Sequence, residues 1–194
     1  TLDERADAAA CIGQIVDETG DILPQVFPLP DRPALAAACR ANEEPAAEAP
    51  SAEAVQAARG WLIMVRRRFI AGMNYLDEKR YWDSWSEVDL LRQVRSSGKK
   101  TLYADGARAA LSRVERRAQT AAGRSLEAAD RVAGACSYLA KQEGFIAGLL
   151  LRLRITFGVL GRALAFKEAG FHLHLFLNLV SGAKVDGTQG GELS

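Results

Sequence analysis

The sequence predicts an all-α fold, a helical bundle of about five to seven helices with a central apolar C-terminal helix and a proline-rich N-terminal arm. Two observations lead to this prediction. Apolar side chains recur at steps of three and four residues over most of the 194-residue chain, which is the spacing of one face of a helix. Residues that begin or end helices stand at the borders of these segments.

Residues 1–50 are predicted to hold an acidic N-terminal helix, a proline-rich arm and a linker. Thr1 and Glu4 have the spacing of a capping box, and the apolar residues after them indicate a helix that ends near Gly20. Four prolines between residues 24 and 33 favour an extended segment. Pro33–Ala41 is predicted as a short helix, and residues 42–50 read as a linker rich in alanine, glutamate and proline.

Residues 51–180 are predicted to form the helical bundle domain. A long helix is expected over residues 51–80, where apolar side chains keep helical spacing. A second helix is expected from Ser84 to a stop at Gly98, and a third over residues 102–122. The Asp105-Gly106 pair is an alternative, later start for the third helix.

Residues 126–166 are apolar around most of the circumference of a helix, and such a helix belongs in the middle of a bundle, shielded by its neighbours. Cys136, Ala140, Gly144 and Gly148 form a row of small residues four apart. Because glycine costs about 1 kcal/mol of helix propensity relative to alanine, such a row indicates either a close approach of another backbone or a break. A break near Gly144 would divide this stretch into two helices.

Residues 171–179 alternate large apolar side chains with His172, His174 and Asn178, which is the period of a strand. A final helix is nevertheless favoured, because a strand needs a partner for its backbone hydrogen bonds and the rest of the chain offers none. The alternative is an edge strand that pairs between subunits. Residues 181–194 contain four glycines and are predicted to be a flexible tail.

Charge is distributed unevenly, although the formal net charge is only +1. Residues 1–60 carry eleven acidic and four basic side chains, whereas residues 61–125 carry seven acidic and fourteen basic ones. This segregation favours folding of the acidic arm onto the basic segment; the alternative is an acidic partner of the basic segment.

Basic and aromatic residues of the middle region define a candidate interaction surface. Its arginines could neutralise phosphates, and its tryptophans could anchor a partner or stack on bases. The competing interpretation is a solvated bundle face with tryptophans that pack between helices. The candidate residues are Arg66, Arg67, Arg68, Trp82, Trp85, Arg113, Arg116, Arg117 and Arg124.

The sequence contains no motif for a catalytic site, a nucleotide or a metal. We therefore predict no enzyme activity, no cofactor, no metal and no small-molecule substrate. Three widely spaced cysteines suggest neither a disulfide framework nor a zinc site and favour a cytoplasmic location. No transmembrane helix is predicted, because the apolar stretch 169–183, which is free of Asp, Glu, Lys and Arg, is shorter than the ~20 residues a span needs.

Three function classes follow from these features. We favour a non-enzymatic helical interaction protein, such as an adaptor, an effector or a self-assembling subunit, with a protein partner or a second copy as its ligand. The second class is a membrane-engaging bundle with an apolar hairpin at residues 144–179. The third is a nucleic-acid-binding or nucleic-acid-coating protein that uses the basic faces of residues 66–124.

Overall fold

The computed structural model describes residues 2–41, 47–48, 55–60, 62–73, 76–77, 80–82, 84–110, 120–165 and 168–182. These residues form six helices and five strands. In chain order the elements are β1 (Ala8–Val16), β2 (Val26–Phe27), α1 (Arg32–Ala41), β3 (Ala57–Ala58), β4 (Ile63–Val65), α2 (Arg67–Gly72), α3 (Ser86–Ser96), β5 (Lys100–Ala110), α4 (Ala121–Glu143), α5 (Phe145–Leu164) and α6 (Ala169–Ser181). The prediction of an all-α bundle is therefore wrong, and the fold is α/β.

The chain divides into two units. The first comprises the described residues of Thr1–Asp31, Pro45–Asp77 and Ser86–Arg116, and it contains every strand given above. The second comprises those of Arg32–Glu44, Glu78–Trp85 and Arg117–Ser194, and it contains α1, α4, α5 and α6.

The first unit is built on a mixed three-stranded sheet in the order β4-β1-β5. The central strand β1 runs antiparallel to β4, with Cys11 opposite Met64, and parallel to β5, with Cys11 opposite Leu102. Leu91 and Val94 of α3 pack against this sheet in one buried cluster with Ile12. The proline-rich arm contributes β2, which pairs with β3 in a second, two-stranded sheet.

The predicted N-terminal helix is wrong because β1 occupies its place. Alanine has the highest helix propensity, and β1 begins with three alanines. A central strand buried on both faces shows no alternation, so its continuous apolar run cannot be distinguished from a buried helix by periodicity. Gly13 allows β5 to lie close to β1. A Cβ atom at this position would lie 2.7 Å from the carbonyl oxygen of Ala107 on β5 and would clash with Leu62.

The helices predicted over residues 51–80 and 102–122 are also wrong. Among its described residues the first stretch holds β3, β4 and the short α2, and β5 occupies the second as far as Ala110. Pairing of β5 with β1 skips three residues between Ala104 and Arg108, so Asp105-Gly106 lies at an irregularity of a strand. Among the described residues the next helix is α4, which begins after Thr120; the Thr120 side chain accepts a hydrogen bond from the Gly123 amide at 3.1 Å.

Local signals elsewhere are confirmed. The helix predicted to close at Gly98 is α3, and Gly98 has a φ of 73°. The Lys99 amide donates to the Val94 carbonyl and the Gly98 amide to that of Arg95, which together make a Schellman motif. The short helix after the prolines is confirmed as α1.

The second unit packs three helices, α4, α5 and α6, so that each contacts the other two, and α1 packs on α4 and α5. Of the two interpretations that the sequence leaves open for the row of small residues, a break is present at Gly144, whose φ is 97°, a conformation that only glycine adopts without strain. The final helix is confirmed as α6, and the edge-strand alternative is wrong. Of the predicted linker, only residues 47–48 are described; the predicted tail lies outside the described residues beyond Gly182.

None of the helices in the described part of the chain has both the length and the apolar character that crossing a bilayer requires.

Candidate interaction surface

Large apolar side chains of α5 and α6 lie exposed to solvent. On α5 they recur at steps of three and four residues along one side of the helix, and Ile146, Phe157 and Leu164 are 70%, 67% and 70% exposed. We call the whole set the outer apolar face. It consists of Phe145, Ile146, Leu149, Leu150, Leu153, Phe157 and Leu164 on α5, and Leu173, Leu177 and Val180 on α6.

The inward side of α5 carries smaller side chains than this outward side. Ala147 and Gly148 are buried there, together with Leu151, Ile155 and Val159. A Cβ atom on Gly148 would lie 2.5 Å from the Cys136 carbonyl oxygen and 2.7 Å from the Cβ of Ala140. The row of small residues is thus a site of close backbone approach between α4 and α5, which leaves the large side chains of α5 on the outside.

Hydrogen bonds fix the helices that present this face. The Arg152 guanidinium donates to the Leu179 carbonyl at 2.7 Å and so ties α5 to the end of α6. The Asn178 amide donates to the Ser125 hydroxyl at 3.1 Å and ties α6 to α4. On the inner side of α6, Leu175 and Leu179 are buried. The expectation that residues 126–166 are shielded by neighbouring helices therefore holds for α4 and fails for the outer side of α5.

The charge on α5 and α6 has one sign. Neither helix contains an aspartate or a glutamate, while α5 contains three arginines and α6 two histidines. Arg154 is exposed, and the Arg162 guanidinium donates to the Arg40 carbonyl at 2.7 Å. Arg124 of α4 lies with its guanidinium carbon 5.7 Å from the centre of the Phe171 ring of α6. The outer apolar face thus has the exposed Arg154 at its edge, and the exposed carboxylates of Glu143 and Glu168 lie just outside the two helices.

Arg66, the first residue of the predicted basic surface, holds the first unit together. Its side chain is only 16% exposed. Its guanidinium donates to the carbonyls of Ala8, at 2.9 Å, of Arg5, at 3.2 Å, and of Leu2. Because these bonds use N–H groups of the Arg66 guanidinium, fewer donors remain to bind a phosphate.

The remaining predicted arginines do not lie on one described element. Arg67 and Arg68 are exposed on α2 in the first unit, whereas Arg124 is exposed on α4 in the second. Arg113, Arg116 and Arg117 lie outside the described residues. The described arginines of the candidate interaction surface thus lie on different elements.

The two predicted tryptophans differ in environment. Trp85 is 7% exposed, its ring centre lies 5.7 Å from that of Tyr138, and its indole N–H donates to the Arg131 carbonyl at 3.0 Å. It packs over Gly134, where a Cβ atom would come within 2.6 Å of the indole. Trp82 is 42% exposed. The packing interpretation thus describes Trp85, and Trp82 stays a candidate surface residue.

Among the described residues, no three His, Cys, Asp or Glu side chains come together as a metal site would require. His172 and His174 both lie on α6, where residues two apart diverge around the helix. Burial raises the pKa of the Cys39 thiol to about 11 and that of Cys136 to about 12. Both thiols are therefore protonated and poorly nucleophilic near neutral pH.

The exposure of the outer apolar face was not predicted from the sequence. The sequence predicts an apolar hairpin at residues 144–179 in the membrane-engaging alternative, and the favoured bundle places its side chains in the interior. One sequence signal could have predicted the exposure. Large apolar residues recur on two sides of α5, and neighbouring helices that pack on one side of it cannot cover both.

No protein-family model matches the chain, and neither does any curated protein or solved structure.

Proposed function

We propose that this chain is a non-enzymatic interaction protein that binds its partner through the outer apolar face. The observation that carries the proposal is the side of α5 from Ile146 to Leu164, where large apolar side chains are exposed at helical spacing. Scattered exposed apolar residues are normal on proteins, but a contiguous set on one helix marks a binding surface.

The free energy available from this face supports the proposal. Moving one leucine or phenylalanine side chain from water into a buried contact contributes about 1.5–3 kcal/mol. Several such side chains on one helix are enough to offset the entropic cost of association, which is of order 4–15 kcal/mol. A rigid, helix-borne face also loses little conformational freedom when it binds.

Nucleic-acid binding through residues 66–124 is less well supported. Arg66 already donates to backbone carbonyls, and Trp85 is packed inside the second unit. Two of the residues assigned to that surface thus have structural partners.

The proposal is tested with a fluorescent dye that binds exposed apolar surface, together with size-exclusion chromatography and light scattering. The wild-type chain is compared with the double variant Leu153→Ser/Phe157→Ser. The matched control is Met64→Ser, which removes a residue that is 64% exposed on β4 of the first unit.

We expect the wild-type chain either to bind the dye as a monomer or to form a dimer that covers the face. The double variant should lose the dye binding or the dimer, and Met64→Ser should behave like wild type. A monomeric wild-type chain that does not bind the dye would mean that its own residues cover the face, and this result would overturn the proposal. A double variant that matches wild type in both measurements would overturn it as well.

A further inference from the structure

We infer that the outer apolar face docks onto the surface of an anionic lipid bilayer. The inference rests on the proposed function and names the partner of the same face. A bilayer is identified as the partner from the charged residues around the face and from the length of its apolar side.

The first argument is the placement of charge around the apolar side chains. The side of α5 that carries Ile146, Leu150, Leu153 and Phe157 has no charged residue at its centre, and Arg154 stands at its edge. An arginine beside a helix face that enters the headgroup layer extends its aliphatic stem along the apolar surface and places its guanidinium at the lipid phosphates.

The second argument is that no carboxylate lies within α5 or α6, while the exposed carboxylates nearest in sequence, Glu143 and Glu168, lie just before their first residues. A carboxylate on this face would be repelled by an anionic headgroup layer, whereas each basic residue near such a layer gains attraction from its negative surface potential. Arg154 on α5 is exposed at the edge of this face and can supply this attraction.

The third argument separates a bilayer from a second copy of this chain. In a two-fold dimer the same surface meets itself, so the arginines of one α5 would approach those of the other. Arg154 lies at the middle of α5, so the two copies of this arginine would approach each other, whereas the exposed acids Glu143 and Glu168 lie outside the ends of the helices. Like charges brought together at an interface are unfavourable. A bilayer that contains anionic lipids supplies both the apolar layer and the negative charge.

The fourth argument fixes the depth of the contact. The exposed side chains from Ile146 to Leu164 extend over about 27 Å of helix at 1.5 Å per residue. No described helix has the properties of a membrane span, and the inward side of α5 is occupied by α4. The helix therefore lies in the plane of the interface, with its apolar side in the headgroup and upper acyl region.

The test is flotation of the full chain with two kinds of vesicle, phosphatidylcholine alone and phosphatidylcholine partly replaced by phosphatidylserine. We expect the wild-type chain to float with the phosphatidylserine vesicles and more weakly with the neutral ones. Leu153→Ser/Phe157→Ser should lower the partition coefficient at least roughly tenfold, because it removes two side chains that would leave water. Arg154→Gln should lower it about fivefold on phosphatidylserine and little on phosphatidylcholine.

Two matched controls locate the binding surface. Met64→Ser and Arg67→Gln change an exposed apolar and an exposed basic residue of the first unit, and both should leave flotation within about twofold of wild type. Circular dichroism of every variant verifies that the helices are intact. An Arg67→Gln effect equal to that of Arg154→Gln would overturn the inference, because the basic residues of α2 would then carry the binding.

Failure of this inference can be distinguished from failure of the proposed function. A chain that binds the dye or dimerises through the outer apolar face, but does not float with either vesicle, refutes the lipid inference and leaves the interaction function standing. In that outcome a second copy or an apolar protein surface is the occupant. A chain that neither binds the dye nor dimerises refutes both.

Discussion

Helices α4 and α5 follow each other directly, separated only by Gly144, yet their apolar side chains end in opposite environments. On α4 the apolar residues Val132, Tyr138 and Leu139 are buried, and the exposed positions are mainly polar or small. On α5 the exposed positions carry more of the large apolar side chains than the buried ones do. The helix with more apolar residues is thus the one less covered by the protein, so apolar character on α5 does not by itself report burial.

The largest expected contrast is in thiol reactivity between the two helices. Burial raises the pKa of Cys136 on α4 to about 12, and it also raises the pKa of the other two native cysteines. Leu153→Cys places a thiol on the exposed side of α5, where its pKa should be near 8.5. At mildly alkaline pH the introduced thiol should react with iodoacetamide about three orders of magnitude faster than Cys136, since the thiolate is the nucleophile.

Mass spectrometry of the labelled chain measures this difference, and the urea-unfolded chain is the control in which all thiols react. Equal native rates for the introduced thiol and Cys136 would contradict the contrast between the helices.

The next contrast is between matched leucine truncations. Leu139→Ala on α4 removes a side chain that is 2% exposed and should lower the free energy of unfolding by about 2–5 kcal/mol. Leu150→Ala on α5 removes one that is 49% exposed and should change it by less than about 1 kcal/mol. Urea unfolding followed by circular dichroism measures both, and a loss for Leu150→Ala as large as that for Leu139→Ala would show that α5 is covered on its outer side.

A third contrast compares two glycines inside α5. Gly148→Ala should destabilise the fold by about 1–3 kcal/mol, because its methyl group would meet the backbone of α4 at 2.5 Å. Gly158→Ala should stabilise it by up to about 1 kcal/mol, because nothing lies within 4 Å of the added atom and alanine is the better helix former. Thermal unfolding of the two variants should therefore shift in opposite directions, and a shift in the same direction would contradict the assigned packing.

The smallest contrast concerns how the two helices begin. Thr120 caps α4 through its side chain, whereas no side-chain hydrogen bond caps α5 at Gly144. Thr120→Ala should lower stability by about 1 kcal/mol, because the Gly123 amide loses its acceptor. Thr156→Ala, inside α5, serves as the control and should cause no loss. Urea unfolding measures both, and equal losses would mean that the hydroxyl of Thr120 is not a cap.

The sequence by itself determined those features that depend only on residues close together along the chain. Pro33 in the first turn of α1, Gly98 after α3 and Gly144 between α4 and α5 each act within a few residues, through a fixed φ angle or a φ that only glycine adopts without strain. These signals placed α1 and the end of α3 correctly and offered the break before α5 as one of two interpretations.

Only the tertiary structure decided the rest, because it depends on residues far apart in the chain. Ala8–Val16 is a strand because β4 and β5, more than fifty residues away in sequence, pair with it on both sides, and this pairing overrides the helix propensity of its alanines. Likewise, Phe157 is exposed because the helices of the second unit pack against the opposite side of α5. Whether a side chain is buried depends on which element packs against it. A pattern of apolar residues along one helix does not contain that information.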